Sequence, residues 1–388
     1  MSGTSEGNMI YLHVPFCRSF CTYCGFYSEA VPACPGNGDM ARFERYADSV
    51  CAEIVSRADE IRSTLPAGAL SGKIDTLYIG GGTPSVLPLS VVSRIVHTLN
   101  NTVFGEQYHD YLEFTFEVNP EDVVEKGEDY LKGLMALGVN RFSMGIQSFD
   151  DRILRWMNRR HNAEHAEEAY WMMRGLDVRN ISIDLIFGVG RLSDATWEAT
   201  LHKAIGLSPS HISAYQLSVE EGSALSRLVA DGKYREAGEE DCRRQYDMLC
   251  SMLYEAGYHH YEVSNFAFPG MEARHNSAYW RRVPYVGLGP GAHSALADAE
   301  GKVNVRRWNT EKESGYVSEM ETLSEEDMKV EEIMLGLRTD DGVDPALLPE
   351  KVVDRLIKEG ALAKNVWGKI RIPEDHFFVS DEIITELI

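Results

Sequence analysis

A repeated alternation of apolar runs and helical stretches constrains the fold of this chain more than any other feature. Six runs with strand character lie in roughly the first two thirds of the sequence, and a helical stretch follows each of them. The runs read IYLHV, DTLYIGGG, EFTFEVNP, RFSMGIQS, NISIDLIFG and HISAYQLS. Repeated strand–helix units favour a parallel sheet with covering helices. The pattern therefore predicts an α/β fold, either an open doubly wound sheet or an incomplete barrel.

Chemically distinctive residues follow the ends of these strands. A cysteine loop comes after the first strand, and the sequence GGGTPS comes after the second. Glu117, Gln147, Asp184 and Ser218 lie at the ends of later strands. In both candidate architectures ligands bind at the carboxyl ends of the strands, so we expect these residues to form one site.

The cysteine loop reads CRSFCTYC and contains Cys17, Cys21 and Cys24, three of the seven cysteines of the chain. Three thiolates can bind three irons of a 4Fe-4S cluster and leave the fourth iron open for chemistry. The alternative is a structural zinc site, which normally has four ligands and would need Cys34 or His13 as the fourth.

The composition excludes several other classes of protein. The formal net charge is −22, which argues against a nucleic-acid partner because phosphate contacts require clustered Lys and Arg. We expect neither a signal peptide nor a membrane helix, so the clustered cysteines indicate metal binding in a reducing cytoplasm. The glycine-rich stretch is neither GxGxxG nor a GK[ST] loop, which disfavours a dinucleotide or nucleoside triphosphate site.

The spacing CxxxCxxC directly after the first strand resembles the radical S-adenosylmethionine (SAM) superfamily. This resemblance implies a partial (βα)6 barrel. It also implies that the open iron chelates the amino and carboxylate groups of SAM, and that the reduced cluster cleaves the sulfonium to give a 5′-deoxyadenosyl radical. The GGGTPS stretch resembles the loop of this superfamily that receives the SAM amino group.

Within the superfamily the chain is most similar to the group that contains oxygen-independent coproporphyrinogen III oxidase and the HemW-type heme chaperones. The motifs that carry this similarity are YLHVPFCRSFCTYCGF, GGGTPS, FEVNP, SMGIQSF, IDLIFG and AYQLSVE. The resemblance implies that the three loop cysteines bind the cluster. The residues that it implies for SAM binding are Tyr11, Tyr23, Gly81, Gly82, Thr83, Glu117, Gln147, Arg159, Asp184 and Ser218.

The resemblance also implies individual roles within this set. Tyr11 and Tyr23 flank SAM and the cluster, and Glu117 contacts the methionyl part or the ribose. The side chains of Gln147, Arg159 and Asp184 bind the remaining polar groups, and Ser218 lies on the adenine side. The sequence departs from the family at GVG (188–190), where the glycine is often followed by Leu-Pro.

Two features distinguish the branches of this group. Phe26 stands where the oxidase has a further cysteine, and the oxidase has a longer N-terminal arm before the first strand. The sequence HNSAYW (275–280) matches the HNxxYW motif of HemW-type proteins, in which His275 would bind heme and the following arginines would pair with its propionates. A structural role for this histidine is the alternative.

The resemblance therefore predicts a heme chaperone that binds a 4Fe-4S cluster, SAM and heme, and transfers heme to acceptor proteins. A reductant for the cluster is a further expected partner. The alternative is a radical SAM coproporphyrinogen III oxidase that forms protoporphyrinogen IX, and radical-driven opening or methylation of heme is a third hypothesis. The sequence leaves open whether SAM is cleaved or only bound, and whether two copies pair as a homodimer.

Composition changes along the chain predict three regions. Residues 1–264 form the partial barrel, and residues 265–322 form a Gly-, Pro- and aromatic-rich connecting region that contains HNxxYW. The final region, 323–388, contains helices and then a two-strand hairpin pattern, which predicts a small C-terminal winged-helix-like domain.

Overall fold

The computed structural model describes residues 9–32, 37–63, 76–105, 107, 109–298 and 302–388. The strands are β1 (Met9–Val14), β2 (Phe16–Cys17), β3 (Glu29–Ala30), β4 (Thr76–Gly81), β5 (Glu113–Val118), β6 (Arg141–Gln147), β7 (Asn180–Phe187), β8 (His211–Gln216), β9 (His259–Glu262), β10 (Asn265–Ala267), β11 (Tyr285–Leu288), β12 (His293–Ala297), β13 (Val303–Asn309), β14 (Ser318–Thr322), β15 (Ala363–Lys364) and β16 (Ile370–Arg371). The α-helices are α1 (Asn37–Ser56), α2 (Ala58–Ser63), α3 (Leu89–Leu99), α4 (Pro120–Ala136), α5 (Asp151–Trp156), α6 (Ala163–Gly175), α7 (Asp194–Leu207), α8 (Ala224–Ala230), α9 (Glu239–Glu255), α10 (Arg274–Trp280), α11 (Glu325–Gly336), α12 (Glu350–Glu359) and α13 (Ser380–Thr385).

A 12-stranded mixed sheet organises the molecule, in the order β14-β13-β12-β11-β1-β4-β5-β6-β7-β8-β10-β9. The six strands predicted from the sequence are β1, β4, β5, β6, β7 and β8, and they lie side by side in chain order with parallel pairing. The predicted repeated strand–helix core is therefore confirmed. Strand β11 adds in parallel to the other side of β1, and the flanking strands of the sheet are antiparallel.

The parallel strands are buried on both faces, as their nearly continuous apolar sequences require. In β7 all but two residues are buried, and β6 has a single residue that is not. Helices cover such strands with one apolar stripe each, which in α3 consists of Val91, Val92, Ile95, Val96 and Leu99. Because helices pack along these strands, the carboxyl ends of the strands are covered by loops instead.

The connection from β5 to α4 shows how local sequence positions such a loop. Asn119 ends β5, and its side chain accepts a hydrogen bond from the backbone N–H of Glu121 as an N-cap, while Pro120 occupies the first helical position. The helix ends before Gly138, which has a φ of 105°, a conformation that favours glycine after a helix.

The C-terminal residues follow the order predicted for them. Helices α11 and α12 precede the antiparallel hairpin β15–β16, and α13 ends the chain. The sheet runs across the predicted boundary at residue 264, because β10 pairs with both β8 and β9. The three-region division and the winged-helix-like domain stay predictions. Among the helices described, none is long and apolar enough to cross a membrane.

A buried ionic network ties α1 to the antiparallel side of the sheet. Glu53 Oε1 lies 2.7 Å from Arg57 Nη1, and Glu53 Oε2 accepts hydrogen bonds from the backbone N–H of Gly289 at 2.8 Å and the hydroxyl of Tyr316 at 2.7 Å. Arg57 Nη1 also donates to the carbonyl of Gly287 at 2.7 Å. Both charged side chains are less than a tenth exposed, so the network joins distant segments of the chain inside the core.

We predict that Glu53→Ala lowers the free energy of unfolding by about 3 kcal/mol, because it leaves the buried Arg57 with one carboxylate fewer. Chemical denaturation followed by circular dichroism measures the change. Glu53→Gln keeps part of the hydrogen bonding and should lose less. Glu128→Ala removes an exposed pair with Lys132 and serves as the control, with a nearly unchanged midpoint. Equal effects of Glu53→Ala and the control would contradict the role of the network.

Candidate functional site

A cavity of about 690 Å³ lies at the carboxyl ends of the parallel strands, and we call it the first cavity. It brings together all the residues predicted to bind the cluster and SAM. These residues are Tyr11, Cys17, Cys21, Tyr23, Cys24, Gly81, Gly82, Thr83, Glu117, Gln147, Arg159, Asp184 and Ser218. His275 does not line it. The individual roles stay predictions, whereas the shared location follows from the parallel topology.

The cysteine loop begins where β2 ends at Cys17 and is held by its neighbours. The backbone N–H of Thr22 donates to the carbonyl of Met157 at 3.0 Å, and the side-chain hydroxyl of Thr22 donates to Trp156 O at 2.9 Å. Arg18 forms ion pairs with Asp122, at 3.3 Å, and with Glu125. The loop is thus anchored to α4 and to the end of α5.

The glycine-rich loop after β4 packs directly on the cysteine loop. The backbone N–H of Gly82 donates to Val14 O at 2.8 Å, and that of Thr83 donates to Phe16 O at 2.7 Å. A Cβ atom on Gly82 would lie 2.8 Å from Phe16 O and 3.1 Å from Cys17 Sγ. Any larger residue at this position would displace the first cysteine.

The thiols of the loop lie in a mostly buried setting beside one cation. Burial raises the pKa of Cys17, which a hydrogen bond from Thr83 partly offsets, and burial raises the pKa of Cys24 to about 11. Arg159 Nη1 lies 3.3 Å from Cys21 Sγ, and its Nη2 donates to Gly145 O at 2.6 Å. Buried thiols become stable thiolates when iron binds them, so this donor set fits a cluster.

The zinc alternative fits the described residues less well. His13 is buried, with its Nδ1 3.0 Å from the hydroxyl of Tyr11 and its Nε2 3.0 Å from Tyr27 O, so its one lone pair is already used. Cys34 lies outside the described residues.

Two partly buried carboxylates, Glu117 and Asp184, line the first cavity. Glu117 Oε1 accepts a hydrogen bond from the hydroxyl of Tyr78 at 2.6 Å, and its Oε2 accepts one from the N–H of Gly81 at 3.1 Å. Burial raises the pKa of Glu117 to about 7 against the effect of these donors, and the charge of Asp184 adds to the rise. Burial likewise raises the pKa of Asp184 to about 6, although Arg141 opposes it.

The remaining predicted residues complete the cavity at the strand ends. Gln147 ends β6 with a φ of 69°, and the pairing with β7 shifts register between Gly145 and Gln147. The register shift changes the direction of the end of β6. It does so beside Arg159, which lies in the loop after α5. Ser218, beyond β8, donates to Glu220 Oε1 at 2.6 Å.

Sequence reasoning missed two residues that matter at this site. Arg141 is buried at the start of β6, and no hydrogen-bond partner is found for its Nε and Nη1 among the described residues. Its charge lowers the pKa of both cavity carboxylates against the effect of burial. Asn276, the second residue of the HNSAYW motif, lines the first cavity. An arginine at a strand start is typical of a surface, so no pattern indicated its burial.

His275 lies buried beneath the first cavity, in a setting that does not fit an iron ligand. Its Nδ1 is 2.8 Å from Thr76 Oγ1, and its Nε2 is 3.1 Å from the hydroxyl of Tyr279. A neutral imidazole has one lone pair, and one of these hydroxyls uses it. Burial and the charge of Arg141 lower the pKa of His275 to about 3, so the ring is neutral. Its role as a heme ligand stays a prediction that this arrangement does not favour.

The arginines predicted to pair with heme propionates already have carboxylate partners. Arg281 Nε lies 2.6 Å from Asp341 Oδ2 on the surface, and Arg282 lies 2.8 Å from Glu331. Neither borders the first cavity. Arg281 and Arg282, which follow the motif, therefore form ion pairs with Asp341 and Glu331 of the C-terminal region.

Comparison with known proteins identifies the family. A profile described as the radical SAM superfamily matches residues 11–204. The heme chaperone HemW of Synechocystis sp. is 32% identical over 363 residues, which cover 87% of this chain and 80% of the relative. HemW of Bacillus subtilis is 31% identical, with 88% and 86% covered. The chain belongs to the radical SAM superfamily, in the family that includes the HemW heme chaperones.

A solved structure confirms the predicted α/β class of this radical SAM protein. The coproporphyrinogen III oxidase HemN of Escherichia coli superimposes with a TM-score of 0.76, covers 98% of this chain and 89% of its own, and is 20% identical. At that identity the likeness establishes the fold alone. Membership of the radical SAM superfamily implies a 4Fe-4S cluster and SAM, which the residues of the first cavity fit.

The raised pKa of Glu117 predicts a pH-dependent stability of this radical SAM chain. Below the ordinary glutamate pKa of 4.5 the carboxyl is protonated in the folded and unfolded states, and between pH 4.5 and about 7 only the unfolded state ionises. Stability is therefore present at low pH and is lost as the pH rises towards 7. Between about pH 5.5 and about pH 7.5 the loss from this group is about 2 kcal/mol.

Glu117→Gln should remove this part of the pH dependence, whatever its effect on the stability at a single pH. Denaturation of the cluster-loaded protein without SAM, at both pH values, measures the slope. Glu128→Gln, on the surface of α4, should keep the slope of the wild type. Parallel profiles for Glu117→Gln and the wild type would contradict the raised pKa.

Proposed function

We propose that this chain is a heme chaperone that carries a 4Fe-4S cluster and SAM in the first cavity, binds heme and transfers it to acceptor proteins. The likeness to HemW heme chaperones over 87% of the chain carries this proposal. The proposal includes a cytoplasmic location and an electron donor for the cluster. Pairing of two copies as a homodimer stays a prediction.

In this proposal Cys17, Cys21 and Cys24 bind the cluster, and neighbouring residues hold the cysteines in position. The guanidinium of Arg159 supports this role, because its hydrogen bond to the Cys21 sulfur is strengthened when the sulfur is a thiolate. The close packing of Gly82 supports it further, because it fixes the first cysteine against the neighbouring strand. A cluster bound here would be the source of the electron if the SAM sulfonium is cleaved.

The carboxylates of the first cavity suit the polar groups of SAM. Glu117 and Asp184 can accept hydrogen bonds from an ammonium group and from ribose hydroxyls. The pKa of Glu117 lies near 7, so a bound cation favours loss of its proton at neutral pH. Tyr78 and the backbone N–H of Gly81 each donate to one oxygen of this carboxylate, which lines the first cavity.

Phe26 favours the chaperone over the oxidase. It lines the first cavity and its side chain is 72% exposed, at the position where the oxidase is expected to have a further cysteine. A large apolar side chain at the cavity mouth offers no thiol for chemistry on a porphyrinogen. Its exposure is instead suited to a transient contact with a partner or a ligand.

We predict that Cys21→Ala abolishes the signal of the reduced 4Fe-4S cluster, because it removes one of three iron ligands. Electron paramagnetic resonance after anaerobic reconstitution, with iron and sulfide analysis, measures the loss. Cys51→Ala is the matched control, since Cys51 contacts Thr98 away from the first cavity and its loss should leave the cluster intact. One zinc per chain in the wild type would overturn the cluster assignment.

The oxidase alternative is tested with cluster-loaded protein, coproporphyrinogen III, SAM and a strong reductant. We expect no protoporphyrinogen IX beyond a stoichiometric trace. Heme loaded on the protein should pass to an added heme-free acceptor such as apomyoglobin, which the acceptor's absorbance reports. Many turnovers of protoporphyrinogen formation would refute the chaperone proposal.

A further inference from the structure

Asp122, in the first turn of α4, carries a fully buried carboxylate that joins three separate loops. Its Oδ1 lies 3.3 Å from Nη1 of Arg18 and 3.1 Å from Nη1 of Arg160. Its Oδ2 accepts a hydrogen bond from the hydroxyl of Ser85 at 2.8 Å. An ionised carboxylate has about four acceptor sites, so these three partners use most of its capacity. One side chain outside the first cavity therefore connects segments that are distant in the sequence.

Each of the three loops contributes to the first cavity close to the point where Asp122 holds it. Arg18 directly follows the first cysteine of the cysteine loop, and Ser85 is the last residue of the GGGTPS stretch. Arg160 lies in the loop between α5 and α6, directly after the arginine that contacts the second cysteine. The contacts of Asp122 thus lie one or two residues away from side chains predicted to bind the cluster and SAM.

Helix α4 also holds the glycine-rich loop through its backbone. Lys126 Nζ donates to the carbonyls of Ser85 and Leu87, the second at 2.7 Å, and lies 4.2 Å from the centre of the Tyr130 ring. The hydroxyl of Tyr130 donates to Leu87 O at 3.0 Å. The end of this loop is therefore fixed to α4 at several points, which gives Asp122 a rigid frame for its contacts with the arginines.

The two arginines depend on Asp122 more than on any exposed carboxylate. The Arg18 side chain is 6% exposed and that of Arg160 is 15% exposed, and both contact the same oxygen of Asp122. Both also reach Glu125, but that side chain is 45% exposed, so solvent weakens its ion pairs. Charge-assisted hydrogen bonds are stronger in a buried setting. A displacement of either arginine consequently changes the interaction energy of the other.

We infer that Asp122 is a positioning residue for the cluster and SAM, which sets the cysteine loop and the glycine-rich loop at one fixed separation. It does not line the first cavity, so it acts through Arg18, Ser85 and Arg160 rather than by contact with either group. This inference rests on the proposed function, because it concerns the cluster and SAM named there.

The test is the affinity of cluster-loaded protein for labelled SAM, measured by equilibrium dialysis, in the wild type and in Asp122→Asn. Asparagine keeps the size of the side chain and an acceptor for Ser85 but removes the charge between the arginines. The dissociation constant should rise at least about tenfold, because loss of residues that orient metal ligands costs roughly 10–100-fold. A purely structural role would lower the number of folded binding sites and leave the dissociation constant unchanged.

Electron paramagnetic resonance of the reduced cluster gives a second readout. The change of the spectrum on addition of SAM reports the contact of SAM with the cluster, and it should be smaller or absent in Asp122→Asn at a SAM concentration that saturates the wild type. Asp177→Asn, an exposed residue paired with Arg179, is the matched control and should retain the affinity and the spectrum of the wild type.

A double-mutant cycle tests whether Asp122 acts through Arg18. Arg18→Met keeps an apolar stem and should also raise the dissociation constant for SAM, whereas Arg152→Met, on the surface of α5, should not. The combined variant of Asp122→Asn and Arg18→Met should lose clearly less affinity than the product of the two single effects, because both remove the same interaction.

An unchanged dissociation constant in Asp122→Asn, or multiplicative effects in the cycle, would overturn the positioning role and leave the proposed function standing. Should Asp122→Asn fail to fold, Arg18→Met and Arg160→Met decide, and wild-type affinity in both would overturn the inference. Absence of a cluster or of SAM binding in the wild type would refute the proposed function, and the positioning role with it.

Discussion

Two backbone hydrogen bonds, from Gly82 to Val14 and from Thr83 to Phe16, determine where the chemistry of this chain can occur. They hold the loop after β4 against the segment that enters the cysteine loop, at a distance that a Cβ atom on Gly82 would not allow. The parallel neighbours β5 to β8 then place their own strand ends around the same space. The first cavity is therefore a product of backbone packing, formed by the strand ends and by the loops that are anchored to them.

The cavity also concentrates buried charge in a chain that is strongly acidic. Removal from water raises the free energy of the ionised Glu117 and Asp184 carboxylates, and the charge of Arg141 offsets part of this cost. Among the described residues, no hydrogen-bond partner is found for Nε and Nη1 of Arg141. Such a set is costly in the folded protein, because buried charges that lack full partners reduce stability. The cost is understandable where a cationic, polar ligand completes the set, as SAM would.

Much of this architecture could be read from the sequence, because it depends on periodicity and on the residues at strand ends. The six parallel strands and the gathering of the cysteines with Glu117 follow from local patterns. The burial of Arg141 could not be predicted. It depends on how β5 and β7 pair with the start of β6, and the pairing of distant strands leaves no periodic signal.

His275 is a second example of a feature that the sequence could not predict. Its motif indicated the family correctly, but a motif states which residues occur together and not which of them faces a cavity. In the folded chain Asn276 reaches the first cavity, and Tyr279 borders a separate cavity of about 510 Å³ between α10, β11–β13 and α11. The histidine itself packs between Thr76 and Tyr279.

Tyr78, His275 and Tyr279 form a wall between the first cavity and the separate cavity that Tyr279 borders. Its imidazole has a pKa near 3, and burial raises the pKa of both Tyr78 and Tyr279, so none of these rings changes charge at neutral pH. The wall is thus an uncharged aromatic partition with hydroxyl and imidazole groups in contact. This partition therefore takes up no net charge near neutral pH, and its contacts are hydrogen bonds and ring contacts.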